Sequence, residues 1–233
     1  MHWDWLPQYI PLLMHGLYIT ILLLVGSVVM GFLLAVPLGL VQVTGPWPLK
    51  YLARGYCTFI RGTPLLIQMW LLYYGVGSLF PLIGAEFPTF KQNFIWLIRL
   101  DAFYYALLAF TLNFAGYEGE VMRGAFLGVP KGELEAARAF GMSPWKVLSR
   151  VWFPRAVRQV LPTLAGETIA QLLATPLAFT IPVMDLMGVT SRIRQDTFLI
   201  YEPLLFLAFV YIVLTFLITR AFNYFEALVP SKR

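Results

Sequence analysis

Charged side chains are scarce in this sequence. Of its 233 residues, 12% are Asp, Glu, Lys or Arg, whereas 59% are apolar. Soluble globular chains carry roughly a quarter of charged residues, so a soluble enzyme, a disordered linker and a nucleic-acid-binding module are all poor fits. The net charge of +5 needs no nucleic acid as partner, because basic residues in a membrane protein mostly record its topology. The composition predicts a chain whose solvent is a lipid bilayer.

Cysteine and histidine are nearly absent. The single Cys57 excludes an internal disulfide and a cysteine-based metal framework, and His2 and His15 are too few to predict a histidine metal site. The first residues lack the basic segment of an export signal, and the apolar stretch after them exceeds the roughly 7–15 residues of a signal core. We therefore expect a retained first span and no metal bound by this chain.

Five apolar stretches are candidates to cross a membrane. A hydrocarbon core of about 30 Å requires about 20 residues of helix, and the predicted spans cover approximately residues 16–40, 63–80, 102–117, 160–183 and 201–219. The fourth carries Glu167 and is interrupted by Pro162, Pro176 and Pro182. The sequence predicts an all-α polytopic membrane protein, with residues 1–233 as a single transmembrane domain.

The distribution of basic residues predicts the orientation. Thirteen of the seventeen lysines and arginines fall after the first, third and fifth spans, whereas the opposite side has only Lys91, Arg99, Arg192 and Arg194. Basic residues accumulate on the cytoplasmic side of membrane proteins. An odd number of spans then places the N-terminus outside and the C-terminus in the cytoplasm.

The longest connection lies between the third and fourth spans, on the predicted cytoplasmic side. Residues 133–140 are good helix formers with acids in the first turn, and Gly141 suits a left-handed C-terminal cap. Ser143 is a predicted N-cap and Pro144 suits the first position of a second helix. The pattern predicts a helix, a sharp turn and another helix.

The first of these helices has an apolar side formed by Leu134, Ala137 and Phe140. A short helix beneath a membrane needs something to cover such a side. It either lies on the lipid interface or contacts a partner, and periodicity alone does not choose between the two.

Two motifs in this region and upstream carry a family resemblance. Glu135-Ala136-Ala137, followed by Gly141 and by residues 151–154 (Val-Trp-Phe-Pro), resembles the EAA loop of ABC importer permeases. That loop ends in Ile-any-Leu-Pro in the family, so Val151 and Phe153 are conservative departures. Residues 59–68 and 73–75 resemble the polar amino acid branch, which includes histidine, glutamine, arginine and opine permeases. Within it, the sequence is most similar to the M-type subunit of histidine/lysine/arginine/ornithine and octopine/nopaline importers, from Gly16 to Tyr224.

The resemblance implies the transmembrane domain of a type I ABC importer in a bacterial inner membrane. Such a permease binds no cofactor and is not an enzyme, and this chain has no Gly-x-x-x-x-Gly-Lys-Ser/Thr phosphate cradle. ATP and Mg²⁺ are expected on a separate ABC ATPase present in two copies, beside a paralogous Q-type permease and a periplasmic substrate-binding protein. The expected cargo is a polar, cationic amino acid or opine. The implied coupling loop spans about residues 129–154, with Glu135, Ala136, Ala137, Gly141 and Pro154 as coupling residues.

Polar groups inside the spans are the candidates for a substrate pathway, because ionisable side chains in a membrane are costly. The candidates are Glu167, Thr168, Gln171, Asn113 and Glu120. Each also has a structural interpretation as an interhelical hydrogen bond. Glu118 and Glu120 in addition lie near Arg123, with which they are predicted to pair.

Two other classes of protein compete with the importer. An ATP-independent secondary transporter or channel usually has more than five spans and does not need the helix-turn-helix loop. An integral membrane enzyme requires convergent catalytic groups, and no nucleophile with a base or metal cluster occurs at usable spacing. Dependence of uptake on ATP distinguishes the first alternative from the importer.

Overall fold

The computed structural model describes residues 3–76, 78–79 and 100–228, and the regular structure of these residues is entirely helical. This agrees with the predicted all-α class. In chain order the helices are α1 (Leu6–Thr44), α2 (Trp47–Arg61), α3 (Leu65–Trp70), α4 (Ala102–Gly128), α5 (Lys131–Ala139), α6 (Pro144–Val147), α7 (Phe153–Ala174), α8 (Leu186–Thr197) and α9 (Tyr201–Leu228).

Three stretches depart from α-helical geometry. Wider turns of the i→i+5 type follow α3 at Leu71–Gly75 and join α6 to α7 at Leu148–Trp152. A tighter 3-10 turn, Thr175–Thr180, follows α7. Wide turns of this kind occur where a local constraint interrupts the regular i→i+4 ladder.

Two of the described helices, α1 and α9, are long and apolar enough to cross a membrane, and Leu65–Gly75 is a shorter apolar helix. Helix α1 has 39 residues, hence a length of about 58 Å, nearly twice the hydrocarbon core. It begins ten residues before the predicted first span. Helices α4 and α9 begin at Ala102 and Tyr201, as predicted, but continue well beyond residues 117 and 219. The end of the second predicted span, like Lys91 and Arg99, lies outside the described residues.

The fourth predicted span, residues 160–183, does not coincide with one helix. Helix α7 already begins at Phe153, and Pro162 lies inside it, so the prediction that Pro162 interrupts the helix is wrong. A helix tolerates proline when neighbouring groups satisfy the freed carbonyl. The α-helical backbone ends at Ala174, just before Pro176, and Ile181 is extended just before Pro182.

The described residues divide into two compact units. The first unit comprises Met1–Val28, Thr63–Leu112 and Gln171–Leu214. One of its cores packs Leu23, Met69 and Phe110 against Ile181. A further core joins Trp5 and Leu13 of α1 to Val189 and Ile193 of α8. The N-cap of α8 is Asp185, whose side chain accepts a hydrogen bond from the Gly188 N–H at 2.9 Å. This cap fixes where the helix starts after the extended residues.

The second unit comprises Val29–Gly62, Asn113–Ala170 and Thr215–Arg233. Its core packs Ala35 of α1 and Met122 and Phe126 of α4 against Ala156 and Val160 of α7. The helices approach one another closely where glycines face a neighbour. A Cβ added at Gly39 would lie 2.7 Å from the Met122 Cβ. Small residues at helix interfaces permit such backbone approach in membrane proteins.

A buried polar contact also joins the helices of the second unit. The Gln42 side-chain amide donates to the Gly119 carbonyl at 3.4 Å and to the Cys57 Sγ at 3.5 Å. Gln42 and Cys57 are each 1% exposed. One glutamine of α1 thereby contacts both α2 and α4, and the thiol is enclosed between them.

Gly116→Ala is predicted to destabilise the protein by about 1–3 kcal/mol, because overpacking a close helix contact forces neighbours to move. The new Cβ would lie 2.7 Å from the Cβ of buried Ile60. Gly124→Ala is the matched control on the same helix, since no atom lies within 4 Å of its added Cβ. It should stabilise α4 by about 0.5–1 kcal/mol. Thermal unfolding of both variants in detergent checks the pair, and equal midpoints would contradict the close contact.

Candidate functional site

The predicted helix and turn of the loop between α4 and α7 are both present. Helix α5 covers Lys131–Ala139 and is followed by Gly141 at φ +77°. The Met142 N–H donates to the Ala137 carbonyl at 3.2 Å, and the Gly141 N–H donates to the Arg138 carbonyl at 2.9 Å. These two bonds form a Schellman motif, which satisfies the last carbonyls of the helix. The predicted left-handed conformation of Gly141 is confirmed.

The second helix of the loop also begins where predicted. Ser143 is the N-cap and Pro144 is the first helical residue, although the Ser143 side chain makes no capping hydrogen bond. The wide turn at Leu148–Trp152 ends two residues before Pro154. Because proline has no N–H, the Arg150 carbonyl lacks its i+4 donor. The sequence therefore contains the cause of this turn.

A bidentate ion pair connects α5 to the first turn of α7. The Arg155 guanidinium donates to both carboxylate oxygens of Glu133, each at 2.8 Å. Two parallel bonds in this arrangement fix orientation as well as distance. Both side chains are partly exposed, so the pair holds the geometry of the loop more than it contributes to overall stability. The sequence does not predict this pair, because the two residues lie 22 positions apart and only their opposite charges relate them.

Trp152 attaches the same segment to α4. Its indole N–H donates to the Phe126 carbonyl at 2.8 Å, and the two rings meet edge to face with centroids 5.4 Å apart. Such aromatic contacts add to the stabilisation from buried area. The residue that occupies the variable position of the EAA signature thus anchors the loop to a long helix.

The predicted apolar side of α5 is divided between two environments. Leu134 packs against the core of the second unit and Ala137 is buried, whereas Phe140 is 86% exposed. Of the predicted coupling residues, Glu135 and Ala136 are exposed and Pro154 is half-buried. The helix therefore presents Glu135 and Ala136 to its surroundings, together with its C-cap residue Phe140.

Gln171, a predicted pathway residue of the first unit, makes two interhelical hydrogen bonds. Its side-chain amide donates to the Ser27 Oγ at 3.1 Å and to the Phe110 carbonyl at 3.0 Å. The side chain is 5% exposed. This geometry matches the structural interpretation of an amide that joins α1, α4 and α7.

The other pathway candidates lie in the second unit. Thr168 is buried and donates to the Leu164 carbonyl of its own helix at 2.7 Å. Asn113 is buried, and Glu167 is half-buried. Glu167 lies close enough to Glu118 for the two carboxyl groups to interact electrostatically. The structure thus brings Glu167 near an acidic residue that was not among the predicted pathway residues.

Of the two acids predicted to pair with Arg123, only Glu120 does so. The Arg123 guanidinium donates to the Glu120 carboxylate, with its Nε at 2.8 Å. Glu118 is fully buried, and neither of its carboxylate oxygens has a hydrogen-bond partner among the described residues. Five helical positions separate Glu118 from Arg123, a rotation of about 140°. The predicted pairing of Glu118 is therefore wrong for a geometric reason.

The site contains helices, ion pairs and polar anchors, and within residues 3–76, 78–79 and 100–228 no group of three or more His, Cys, Asp or Glu side chains is placed to hold a metal ion. The clamped loop follows α4, and the described part of the chain has two helices that are long and apolar enough to cross a membrane. Residues 27–229 match the family described as the inner membrane component of binding-protein-dependent transport systems. The chain belongs to this family.

Similarity to individual proteins extends over nearly the whole chain. It is 37% identical to the octopine transport system permease protein OccM of Rhizobium radiobacter, covering 95% of this chain and 87% of that protein. It is 33% identical to the histidine/lysine/arginine/ornithine transport system permease protein HisM of Salmonella typhimurium, covering 89% and 86%.

Solved structures share the fold. An amino acid ABC transporter with histidines matches with a TM-score of 0.81 and 28% identity, covering 97% of this chain and 98% of that one. The MetNI methionine ABC transporter matches with a TM-score of 0.76 at 16% identity, covering 96% and 99%. The chain has the permease fold of type I ABC importers. It is the permease subunit, and the ATPase of such a transporter is a separate subunit.

Gln171→Leu is predicted to destabilise the protein by about 1–2 kcal/mol, because the variant loses two interhelical hydrogen bonds. Gln195→Leu, at an exposed position of α8, is the control and should change stability by less than about 0.5 kcal/mol. Unfolding midpoints in detergent compare them. If Gln171→Leu unfolds like wild type while abolishing uptake, Gln171 is a substrate contact and its structural role is contradicted.

Proposed function

We propose that the chain crosses the bacterial cytoplasmic membrane five times, with its N-terminus outside and its C-terminus in the cytoplasm. The spans are those predicted near residues 16–40, 63–80, 102–117, 160–183 and 201–219. The excess of basic residues on one side supports this orientation. The length and apolar character of α1 and α9 support a multi-pass arrangement. Residues 129–154 then lie at the cytoplasmic surface.

This loop is the element that receives the movement of the ATPase. The observation that carries the proposal is the exposure of one face of α5, with Phe140 86% exposed, on a helix clamped at its start by Glu133 and Arg155. An exposed aromatic side chain on a rigid support is suited to a protein contact. Glu135 and Ala136 form the rest of the contact, and Ala137, Gly141 and Pro154 shape the helix and its exits.

Assembly follows from the need to enclose a polar pathway, which five helices do not readily accomplish alone. The chain pairs with a paralogous Q-type permease, and two copies of an ABC ATPase bind beneath them. ATP and Mg²⁺ reside on the ATPase subunits. A periplasmic binding protein delivers the substrate from outside. The resemblance to M-type permeases supports this composition.

The proposed substrate is a polar, cationic amino acid or opine. The names of the relatives, which transport octopine or histidine, lysine, arginine and ornithine, support this class. Glu167 is the leading pathway residue, because it is half-buried and has Glu118 within electrostatic range. Asn113 and Thr168 are secondary candidates. Gln171 and Glu120 serve the pathway indirectly, since their side chains are engaged by helix contacts and by Arg123.

The complex reconstituted in proteoliposomes tests this function. With ATP inside and binding protein outside, uptake of labelled arginine, histidine or octopine should depend on ATP. An ATPase variant that binds but does not hydrolyse ATP should abolish uptake. Glu167→Gln is expected to reduce uptake of a cationic substrate by at least tenfold, because a buried charge–charge contact is worth more than about 1.4 kcal/mol.

Two results would contradict the proposal. Uptake that continues without ATP favours the secondary transporter. Normal uptake by a complex that lacks a second permease gene product contradicts the heteromeric assembly. Glu226→Gln, near the end of α9, provides a control in which a carboxylate is removed outside the predicted spans.

A charge exchange tests the clamp. Glu133→Arg alone places two cations together and should lower ATP-driven uptake several-fold, because the orientation of α5 is lost. The double variant Glu133→Arg/Arg155→Glu restores opposite charges and is expected to regain most of the activity. Uptake measured beside ATPase activity separates coupling from assembly. Failure of the double variant to recover, with intact assembly, would show that the pair has no role in coupling.

A further inference from the structure

A groove in the second unit is lined almost entirely by apolar side chains. It comprises two adjoining cavities of about 350 and 300 Å³, both bordered by Leu40, Trp145 and Leu148. Its walls come from α1, α4 and the segment between Pro144 and Phe153. The groove therefore lies between a long apolar helix and the loop that contains α5.

The two ends of the groove differ in polarity. One cavity adds Val36, Pro37 and Phe126, whereas the other adds Thr44 and Arg138. Val36 and Thr44 are eight positions apart on α1, a distance of about 12 Å along its axis. The groove thus runs along α1 from an apolar end to an end with a cation.

Arg138 makes no ion pair with any residue in the described part of the chain, and its side chain is exposed. Arg123 and Arg155, by contrast, are each paired with a glutamate. An arginine guanidinium offers donors that match the oxygens of a phosphate. Its position at one end of an apolar groove is complementary to an amphiphile with an anionic head.

Trp145 borders both cavities and is 72% exposed. Tryptophan is enriched where hydrocarbon meets polar head groups, because its ring is apolar and its N–H is polar. In the topology proposed above, Val36 lies within the first span and Arg138 lies in the cytoplasmic loop. The apolar end then lies at the depth of acyl chains, and the cationic end lies at the level of head groups.

We propose that this groove binds an acidic phospholipid of the cytoplasmic leaflet, with one acyl chain along α1 and its phosphate at Arg138. The inference rests on the proposed topology. A soluble protein segment that approached from the cytosol would leave the Val36 end, which lies within the bilayer, uncovered. A zwitterionic lipid fits the apolar walls but carries no net charge to complement the free guanidinium. The bound lipid thereby joins α1 to the coupling loop.

The test uses the intact transporter complex, purified with its partner subunits and titrated with phosphatidylglycerol or phosphatidylethanolamine. Native mass spectrometry counts the lipids retained. The wild-type complex should retain more phosphatidylglycerol than phosphatidylethanolamine. Arg138→Gln should weaken phosphatidylglycerol retention about fivefold, the effect expected for one basic residue at an anionic lipid surface, with little change for phosphatidylethanolamine. Arg150→Gln removes the same charge from an exposed position that does not line the groove and should change retention less than twofold.

A second variant tests the apolar walls without changing charge. Ser149 is exposed and borders the cavity that also contains Val36, so Ser149→Trp should fill it and remove retention of both lipids. Brominated phosphatidylglycerol should quench the fluorescence contributed by Trp145, measured as the difference from Trp145→Phe. Thermal unfolding verifies that the variants are folded.

Several results would overturn the inference. Equal phosphatidylglycerol retention by wild type, Arg138→Gln and Ser149→Trp would do so. Cross-linking from Ser149→Cys to another subunit would assign the groove to a protein partner. ATP-driven uptake without lipid retention refutes the lipid site and leaves the importer function intact, whereas lipid retention without ATP-driven uptake contradicts only the proposed function.

Discussion

The ion pair between Glu133 and Arg155 determines how the loop between α4 and α7 is held. Its two hydrogen bonds, each of 2.8 Å, join the start of α5 to the start of α7. The Schellman motif at Gly141 then sets the direction in which the chain leaves α5. With Trp152 bound to the Phe126 carbonyl, a nine-residue helix that would be marginal alone becomes a fixed part of the second unit. These contacts connect α5 to both α4 and α7.

Local chemistry explains what the sequence predicted correctly. Gly141, Ser143 and Pro144 each impose a conformation on their own backbone, so the turn between α5 and α6 was predictable from three neighbouring residues. The start of α4 was predictable because Asp101 directly precedes Ala102. The motifs around Glu135 and Arg61 indicate the permease family because each is a contiguous stretch of sequence.

Contacts between distant residues explain what could not be predicted. The pairing of Glu133 with Arg155 depends on how α7 packs beside α5. The hydrophobic pattern of the sequence does not determine the distance between these two helices. Glu118 and Glu120 look equivalent in sequence, yet the helix places one against Arg123 and the other in the core. Helix α1 extends beyond the predicted span, residues 16–40, because the sequence has no charged residue anywhere in Leu6–Thr44 to mark an end. The length that a bilayer requires therefore underestimates the helix. Pro162 was misread because proline lowers helix propensity strongly but does not decide a helix that tertiary contacts support.

The enclosed thiol of Cys57 has a practical consequence. It is the chain's single cysteine and is 1% exposed beneath Gln42, so bulky maleimide reagents cannot readily reach it in the folded protein. A cysteine introduced at the surface would therefore become the single reactive position in this subunit without any prior removal of the natural one. Spin labels and fluorophores could be attached one at a time to follow the moving helices during a cycle. The natural sequence can therefore be used directly as the parent for single-cysteine labelling.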